Sequence, residues 1–549
     1  MPVVPPHTYP GVYIQELPSG VRTISGISTS VTAFIGRTAR GPVNTPIVIN
    51  TYADFERTFG GLWSQSTLGQ VVQDFYLNGG NQAVIVRLFN AGTTPSTTPQ
   101  ASTAAPTSSS SSSSASPPTT PPKTNAPLLV DTLPLEARDP GSWGNYLRAH
   151  VDSVPNGIAQ NYDLTDGDLF TLTLYDKKTG TTEIFRNLSV KAGSQQVDKI
   201  LALQSVLARV ATGATLPTAP PKAHTAPARG KSIWDDDNAS TGVQSNNFVT
   251  DGGQLVVDDF IADNAQTNKS GLYALEQLPL FNLLSIPPYL ASGDVDPELI
   301  AEAAAYCEKR RAMLLVDPPS SWVSKELAKS GIGSLGTNSK NALFYFPRFK
   351  RFNSLDDYVP SGAIAGIIAR TDAQRGVWKS PAGIDATLVG VSQLSVSLTD
   401  DEIGELNPLG INCLRTLPAA GPIVWGARTL QGDDRLASDW KYVSVRRLTL
   451  FIEESLYEGT KWVVFEPNDE PLWAQIRLNI GSFMRDLFRQ GAFQGQTPQE
   501  AYFVQCDSTT TLQNDINQGV VNIIIGFAPL KPAEFVILNI QQIAGQISV

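Results

Sequence analysis

The sequence predicts a multidomain protein that joins an α/β part to an α+β part, with a small β-rich domain inserted ahead of the α/β part. Three observations carry this. The chain has 549 residues, more than one ordinary core accommodates, so two to four domains are expected. From about residue 272 onward, strand-like and helix-like runs alternate, the order of a mainly parallel sheet. Two stretches rich in Ser, Thr, Pro and Ala, at 91–127 and 211–240, bracket a segment with strand-type alternation.

The first residues read as an arm. Pro2, Pro5, Pro6 and Pro10 block helix and central-strand pairing, and 11–17 then alternates in strand fashion. A compact stretch follows, with a strand at 31–35 and a short helix at 52–59. A longer helix at 68–76 is stopped by Gly79 and Gly80, and a β-branched strand spans 83–89. Residues 91–127 hold almost no charge and no aromatic side chain. Burial cannot offset the entropy of ordering them, so a disordered surface insertion is expected. In the β-rich segment, 170–175 alternates, 183–190 supplies a hairpin partner, and 199–210 suggests a helix.

In the α/β part, 280–286 reads as an apolar strand. Asp296 then caps a helix with Pro297 at its first position, and Ile300, Ala303, Ala304 and Cys307 share one face of it. A strand at 313–316, a helix at 323–329 and a strand at 343–346 continue the alternation. The clearest helix starts at Pro471. It lines up Leu472, Ile476, Ile480, Phe483, Met484 and Leu487 on one side and Arg477, Arg485 and Arg489 on the other. Strand-like runs at 521–527 and 535–540 end the chain. Taken alone, the runs at 11–17 and 535–540 read as strands of the protein's own sheets, and the arginine face as a solvated surface making local ion pairs.

Composition excludes several function classes. A formal net charge of −10 argues against nucleic-acid binding, which calls for a basic face. No apolar run is long enough to span a bilayer, and the Pro-rich start lacks a signal-peptide pattern. Cys307, Cys413 and Cys506 are odd in number and widely separated, which gives neither a zinc spacing nor a disulfide framework. Gly331, Gly333 and Gly336 fit GxGxxG, but they follow a helix and precede a strand, the wrong context for a dinucleotide loop. No phosphate-binding GxxxxGK[ST] is present. The histidines are His7, His150 and His224, all ahead of the α/β part, so that part cannot build a Ser-His-Asp triad by itself. Asp235, Asp236, Asp237, Asp258 and Asp259 lack the spacing of a cation loop and read as solvated loop carboxylates. No catalytic residue, cofactor or metal ligand is expected.

Several short words occur along the chain in this order: Pro10 to Glu16 (PGVYIQE), Pro360 to Gly366 (PSGAIAG), Arg370-Thr371-Asp372, Gly376 to Gly383 (GVWKSPAG), Leu406 to Asn412 (NPLG within it) and Val424 to Leu430 (VWGARTL). Val445-Arg446-Arg447, Phe465 to Asp469 (FEPND), Ala501 to Val504 (AYFV) and Ala528 to Phe535 (APLKPAEF) complete the series. Together they resemble contractile tail sheath proteins of phages and phage-derived injection systems. The resemblance implies a structural subunit, not an enzyme. It implies an N-terminal arm (1–20), the N-terminal part of an inner α+β domain (21–90), the disordered insertion (91–127), a small β-rich domain (128–210) and a linker (211–240). It further implies a subtilisin-like α/β sheath domain (241–425), a C-terminal α+β sheath domain (426–527) and a C-terminal arm (528–549). In such proteins both arms add strands to sheets of neighbouring subunits, which assigns that joint to Val12, Tyr13 and Ile14 and to Phe535, Val536, Ile537 and Leu538. Arg477, Arg485 and Arg489 become candidates for contact with the inner tube. The implied partners are further copies in stacked hexameric rings, the inner tube protein, and baseplate and terminal cap proteins, with no nucleic acid and no direct membrane insertion. The particle would be assembled in the bacterial cytoplasm, then released or anchored at a membrane as a whole. The alternatives are a myophage sheath instead of a bacterial particle, a static tube or scaffold protein, and a hydrolase built on the α/β domain.

Overall fold

The computed structural model describes residues 22–92, 124–290, 293–352, 354 and 356–537. The expected N-terminal arm, 93–123 of the expected insertion and 538–549 of the C-terminal arm lie outside these residues. The chain forms two compact units. The larger takes Ser30–Gln374 and Pro381–Val443, and the smaller takes Met1–Thr29, Arg375–Ser380 and Ser444–Val549.

The larger unit starts with strand β1 (Thr32–Gly36), strand β2 (Ile47–Ile49) and, after two helices, strand β3 (Ala83–Arg87). Every residue of β1 and β3 is buried, as a strand covered on both faces requires. The helix Tyr52–Phe59 is set by local chemistry. The Thr51 side chain accepts the Asp54 N–H, Asp54 answers with the Thr51 N–H, and Gly60 ends the helix at φ 92°.

Beyond β3 the chain leaves the sheet through a narrow neck. The Gly253 N–H donates to the Asn90 carbonyl at 2.9 Å, and the Asn90 amide donates to the Gln254 carbonyl and the Asp259 carboxylate at 3.0 Å each. The stretch between holds β4 (Pro127–Val130), β5 (Leu133–Ala137), β6 (Leu147–Ser153), β7 (Leu169–Asp176), β8 (Thr182–Ser189), β9 (Ala208–Val210) and β10 (Thr241–Gly242). They form two antiparallel sheets, in the orders β4-β5-β9 and β10-β6-β7-β8, around a shared core that includes Leu135, Leu172 and Leu188. Two local expectations change here. The helix expected over 199–210 is Val197–Gln204, and its continuation is β9. Ser205 Oγ takes the N–H groups of Leu207 and Ala208 and turns the chain into the sheet. The expected linker at 211–240 lies against this layer. The His224 N–H donates to the Val151 carbonyl at 2.9 Å, and Trp234 stacks on Tyr175 at 4.5 Å. A Pro/Ala/Thr composition hides such anchoring because a few side chains carry it. Among the expected solvated carboxylates, Asp236 is buried and accepts the N–H groups of Ala228 and Asn238, and Asp259 helps to close the neck.

The chain then returns to the first sheet with β11 (Leu283–Ser285), β12 (Met313–Val316) and β13 (Ala342–Phe346). A side sheet of β14 (Phe349–Arg351), β15 (Asp357–Tyr358) and β16 (Val391–Leu394) follows, and then β17 (Asn412–Leu417) and β18 (Gly421–Val424). The main sheet has eight strands in the order β18-β17-β13-β12-β11-β1-β3-β2, parallel from β17 to β3 and antiparallel only at its two ends. The β-α-β alternation is therefore a parallel sheet, but a wider one than the sequence indicates. Residues 32–87, assigned above to a separate inner domain, pair directly with the 283–346 strands: Thr32 stands between Ala83 and Leu283. Parallel pairing across so long an insertion leaves no local mark in the sequence. The helix Pro297–Lys309 covers one face with Leu299, Ala303 and Cys307.

The helix Ser361–Arg375 is fixed along its length and at its first turn. Gly362 and Gly366 let it lie on the helix Leu68–Leu77, since a Cβ would meet the Val71 carbonyl oxygen at 2.1 Å or that of Phe75 at 2.4 Å. Its first turn is held by Asp317, the residue after β12, which accepts the Ser361 N–H at 3.0 Å and Oγ–H at 2.8 Å, while Ser285 Oγ lies 3.0 Å from Ser361 Oγ. Burial pushes the Asp317 carboxyl up to about 7 against the opposing pull of those hydrogen bonds and of Arg348.

Gly366→Val should destabilise the fold by about 3 kcal/mol or more, read by chemical denaturation, because backbone must move to admit the side chain. For Asp317, a folded-state value above the ordinary 3.8 means that its contribution is most favourable below pH 3.8 and is lost as pH rises to about 7. The melting temperature of Asp317→Asn relative to the parent should therefore climb between pH about 4 and about 8. A pH-independent difference would show that the carboxyl ionises normally.

Candidate assembly surface

In the smaller unit, the helices Val443–Gly459 and Glu470–Arg489 pack through Leu448, Ile452, Ile476, Ile480, Phe483 and Met484. The expected apolar face is the buried one. Asp469 accepts the Leu472 N–H at 3.2 Å, and Pro471 occupies the first turn, so the FEPND word is a helix start. Asn468 of the same word ties two elements together: it accepts from Trp473 Nε1 at 2.8 Å and donates to the Val520 carbonyl at 2.9 Å.

The segment from Arg22 to Thr29 belongs here, which divides the 21–90 stretch that the sequence treats as one. The Arg22 N–H donates to Asn479 at 3.1 Å, the Ile27 N–H to Ser455 at 3.3 Å, and Arg447 to the Thr29 carbonyl at 2.8 Å. Ile24 is buried in the core, and Arg22 lies 4.7 Å from the centre of the Trp462 ring. The Val445-Arg446-Arg447 word thus has a local meaning that sequence reasoning missed, because its target lies over 400 residues away.

Beside the helices, β19 (Tyr502–Gln505) pairs with β20 (Ile524–Phe527), antiparallel from Tyr502↔Phe527 to Gln505↔Ile524. Among the described residues each of these strands pairs only with the other, so the outer edge of both is open. Open edges offer a row of unpaired main-chain groups and serve as docking sites for an added strand. Phe503 and Ile524 are exposed on them. The chain stays anchored past β20, with the Gln494 N–H on the Ala528 carbonyl at 2.9 Å. It then runs out with Phe535, Val536 and Ile537 at 76%, 79% and 81% exposure and in no strand. Leu538 lies outside the described residues, as do Val12, Tyr13 and Ile14.

The arginine face separates into two kinds of residue. Arg477 is held within the unit, donating to the Cys506 carbonyl and to Glu470 at 2.6 Å. Arg485 and Arg489 are exposed, and Arg489 has Asp486 at 3.9 Å. A helical wheel shows the face, not the carbonyl that captures one member.

As for hydrolysis, the Ser361–Asp317 pair of the larger unit caps a helix. His150 and His224 stack on each other at 5.5 Å beside β6, and their ring nitrogens engage Ala239, Asp152, Val151 and Thr241. Cys307, Cys413 and Cys506 are buried, and burial raises all three thiols.

Residues 271–430 match the phage tail sheath protein central domain, and residues 437–543 match the phage tail sheath C-terminal domain. The tail sheath protein of Burkholderia phage BcepMu is 24% identical over 507 residues, covering 88% of this chain and 87% of that protein. The tail sheath protein of Vibrio phage KVP40 is 27% identical over 197 residues, covering 36% of this chain, and the matched stretch spans only 28% of that longer protein. Among solved structures, the sheath complex of the extracellular contractile injection system PVC in its contracted state aligns with 98% of this chain and 99% of that one. Its TM-score is 0.55 at 20% identity, a likeness of fold. The two sheath domains are matched in chain order, and the chain shares a mixed α/β multidomain fold with sheath structures, so it is similar to phage tail sheath proteins in both sequence and fold.

Proposed function

We propose that this chain is the sheath subunit of a contractile injection particle. The observation that carries the reading is the two-stranded β19-β20 sheet with open edges beside an exposed apolar tail. Many copies surround an inner tube as stacked hexameric rings above a baseplate and below a terminal cap. Each tail, Phe535 to Leu538, and each N-terminal run, Val12 to Ile14, adds a strand to the sheet of a neighbour. Such contacts are heterologous and propagate instead of closing. The larger unit is the subtilisin-like sheath domain, acting as bulk and not as a protease. The lattice assembles in an extended, metastable state. It shortens and widens on a trigger while strand exchange keeps neighbours joined, and the tube is driven through a target envelope. The energy is stored in packing between subunits, which suits bistable interfaces, and the subunit turns over no nucleotide or other substrate.

The test is electron microscopy of particles from the native source before and after acid or mild denaturant, with antibody against this chain. Label along both long and short tubes is expected; label on a tube of unchanging length would favour the static scaffold. Chains lacking residues 1–17 or 528–549 should give no ordered tubes, and intact tubes would reject the exchange.

Arg485 and Arg489 are proposed to face the inner tube through weak, exposed ion pairs, suited to a contact that must release. Arg485→Glu with Arg489→Glu should reduce sheath assembly on tubes at physiological salt and leave the melting temperature unchanged. Arg477→Glu should lower that temperature, since Arg477 bonds within its own unit.

A further inference from the structure

The loop ahead of the helix Glu470–Arg489 carries an oddity that neither the fold nor the open strands absorb. Phe465 has φ 72°, a left-handed backbone that a bulky side chain rarely adopts, and its ring is completely exposed. Val464 beside it is exposed too. The loop is not loose. The Glu466 N–H returns to the Val463 carbonyl at 3.1 Å, and Asn468 is bonded at both ends as described above. A rigid turn thus holds an aromatic ring out from the unit at a conformational cost, a pattern that clusters at binding sites. Glu466 is exposed and makes no ion pair among the described residues.

The same unit supplies a matching segment. The tail after Pro529 presents Leu530, Lys531, Phe535, Val536 and Ile537, all exposed, and with Phe465 fully exposed it does not cover that ring in its own copy. Asn468 fastens the loop to Val520, four residues before β20, and so ties the loop that carries the ring to the chain entering the strand pair that an incoming tail would join. In an extended tail, Lys531 and Phe535 lie about 13 Å apart, within the combined reach of the Phe465, Glu466 and Lys531 side chains.

We propose that Phe465 and Glu466 form a seat for the C-terminal tail of a second copy, the ring packing on the Phe535–Ile537 run and the carboxylate meeting Lys531. This rests on the sheath reading and adds to it a side-chain anchor that fixes the register main-chain pairing alone leaves free.

The test uses the full chain in assembled particles. With Phe465→benzoylphenylalanine, irradiation should yield a covalent dimer on a denaturing gel, mapped by mass spectrometry to residues 530–537 of the other copy. Phe465→Gly relieves the backbone and removes the ring, so it should keep or raise the melting temperature while raising the concentration needed for assembly roughly tenfold or more. Phe465→Ala should impair assembly similarly without any gain in melting temperature. Glu466→Lys should impair assembly, and adding Lys531→Glu should restore it. Crosslinks to the inner tube or to another part of the chain, or assembly of Phe465→Gly at the parent concentration, would overturn the seat and leave the sheath reading standing. A parent chain that forms no tubes would overturn both.

Discussion

The pairing of β1 with β3 on one side and β11 on the other is the constraint on which the larger unit depends. Thr32 to Gly36 is buried throughout and has a parallel strand on each side. Without it the sheet would fall into the pair β3-β2 and a remainder of five strands, each with a new open edge. The pairing is fastened at its start by Asn282, whose side chain takes the Val31 N–H at 2.9 Å across a separation of 251 residues. Closing so long a loop is slow but adds little entropic cost per residue, because closure entropy grows only logarithmically with length. The sheet can therefore bear a large insertion.

Local chemistry was the legible part. Thr51, Asp54 and Gly60 mark the ends of one helix so fully that 52–59 is read to the residue, and the apolar run 313–316 is likewise the observed strand. The buried face of the helix Glu470–Arg489 follows from its spacing. What escaped reading is non-local: the merger of 32–87 with 283–346, the clasp of 22–29 by Arg447 and Asn479, and the capture of Arg477 by the Cys506 carbonyl. Each depends on a partner that no window of sequence contains. The terminal runs raise a different difficulty. A strand that pairs with another copy would have the same alternation as one that pairs at home, so the alternation of these runs cannot distinguish the two; in the structure, Phe535 to Ile537 are exposed and in no strand.

In the smaller unit, rigidity and incompleteness sit side by side. Buried aromatic and aliphatic side chains and the Asn468 bridge fix two helices, while the sheet beside them has two strands among the described residues. A pair of strands is marginal alone, and it persists here because Tyr502, Val504, Ile525 and Phe527 pack on the helix core.

The neck at Asn90 and Gly253 has a consequence for how this chain varies. Because the strand that leaves the main sheet and the segment that returns to it are bonded to each other at 2.9 Å, the layers between them hang from the sheet as a pendant does from a clasp. The clasp has a second stitch, since Arg87 at the end of β3 donates to the Pro140 carbonyl at 2.8 Å. An engineer who wishes to decorate this part of the chain has a ready grafting point, provided Asn90, Gly253 and Pro140 stay in place.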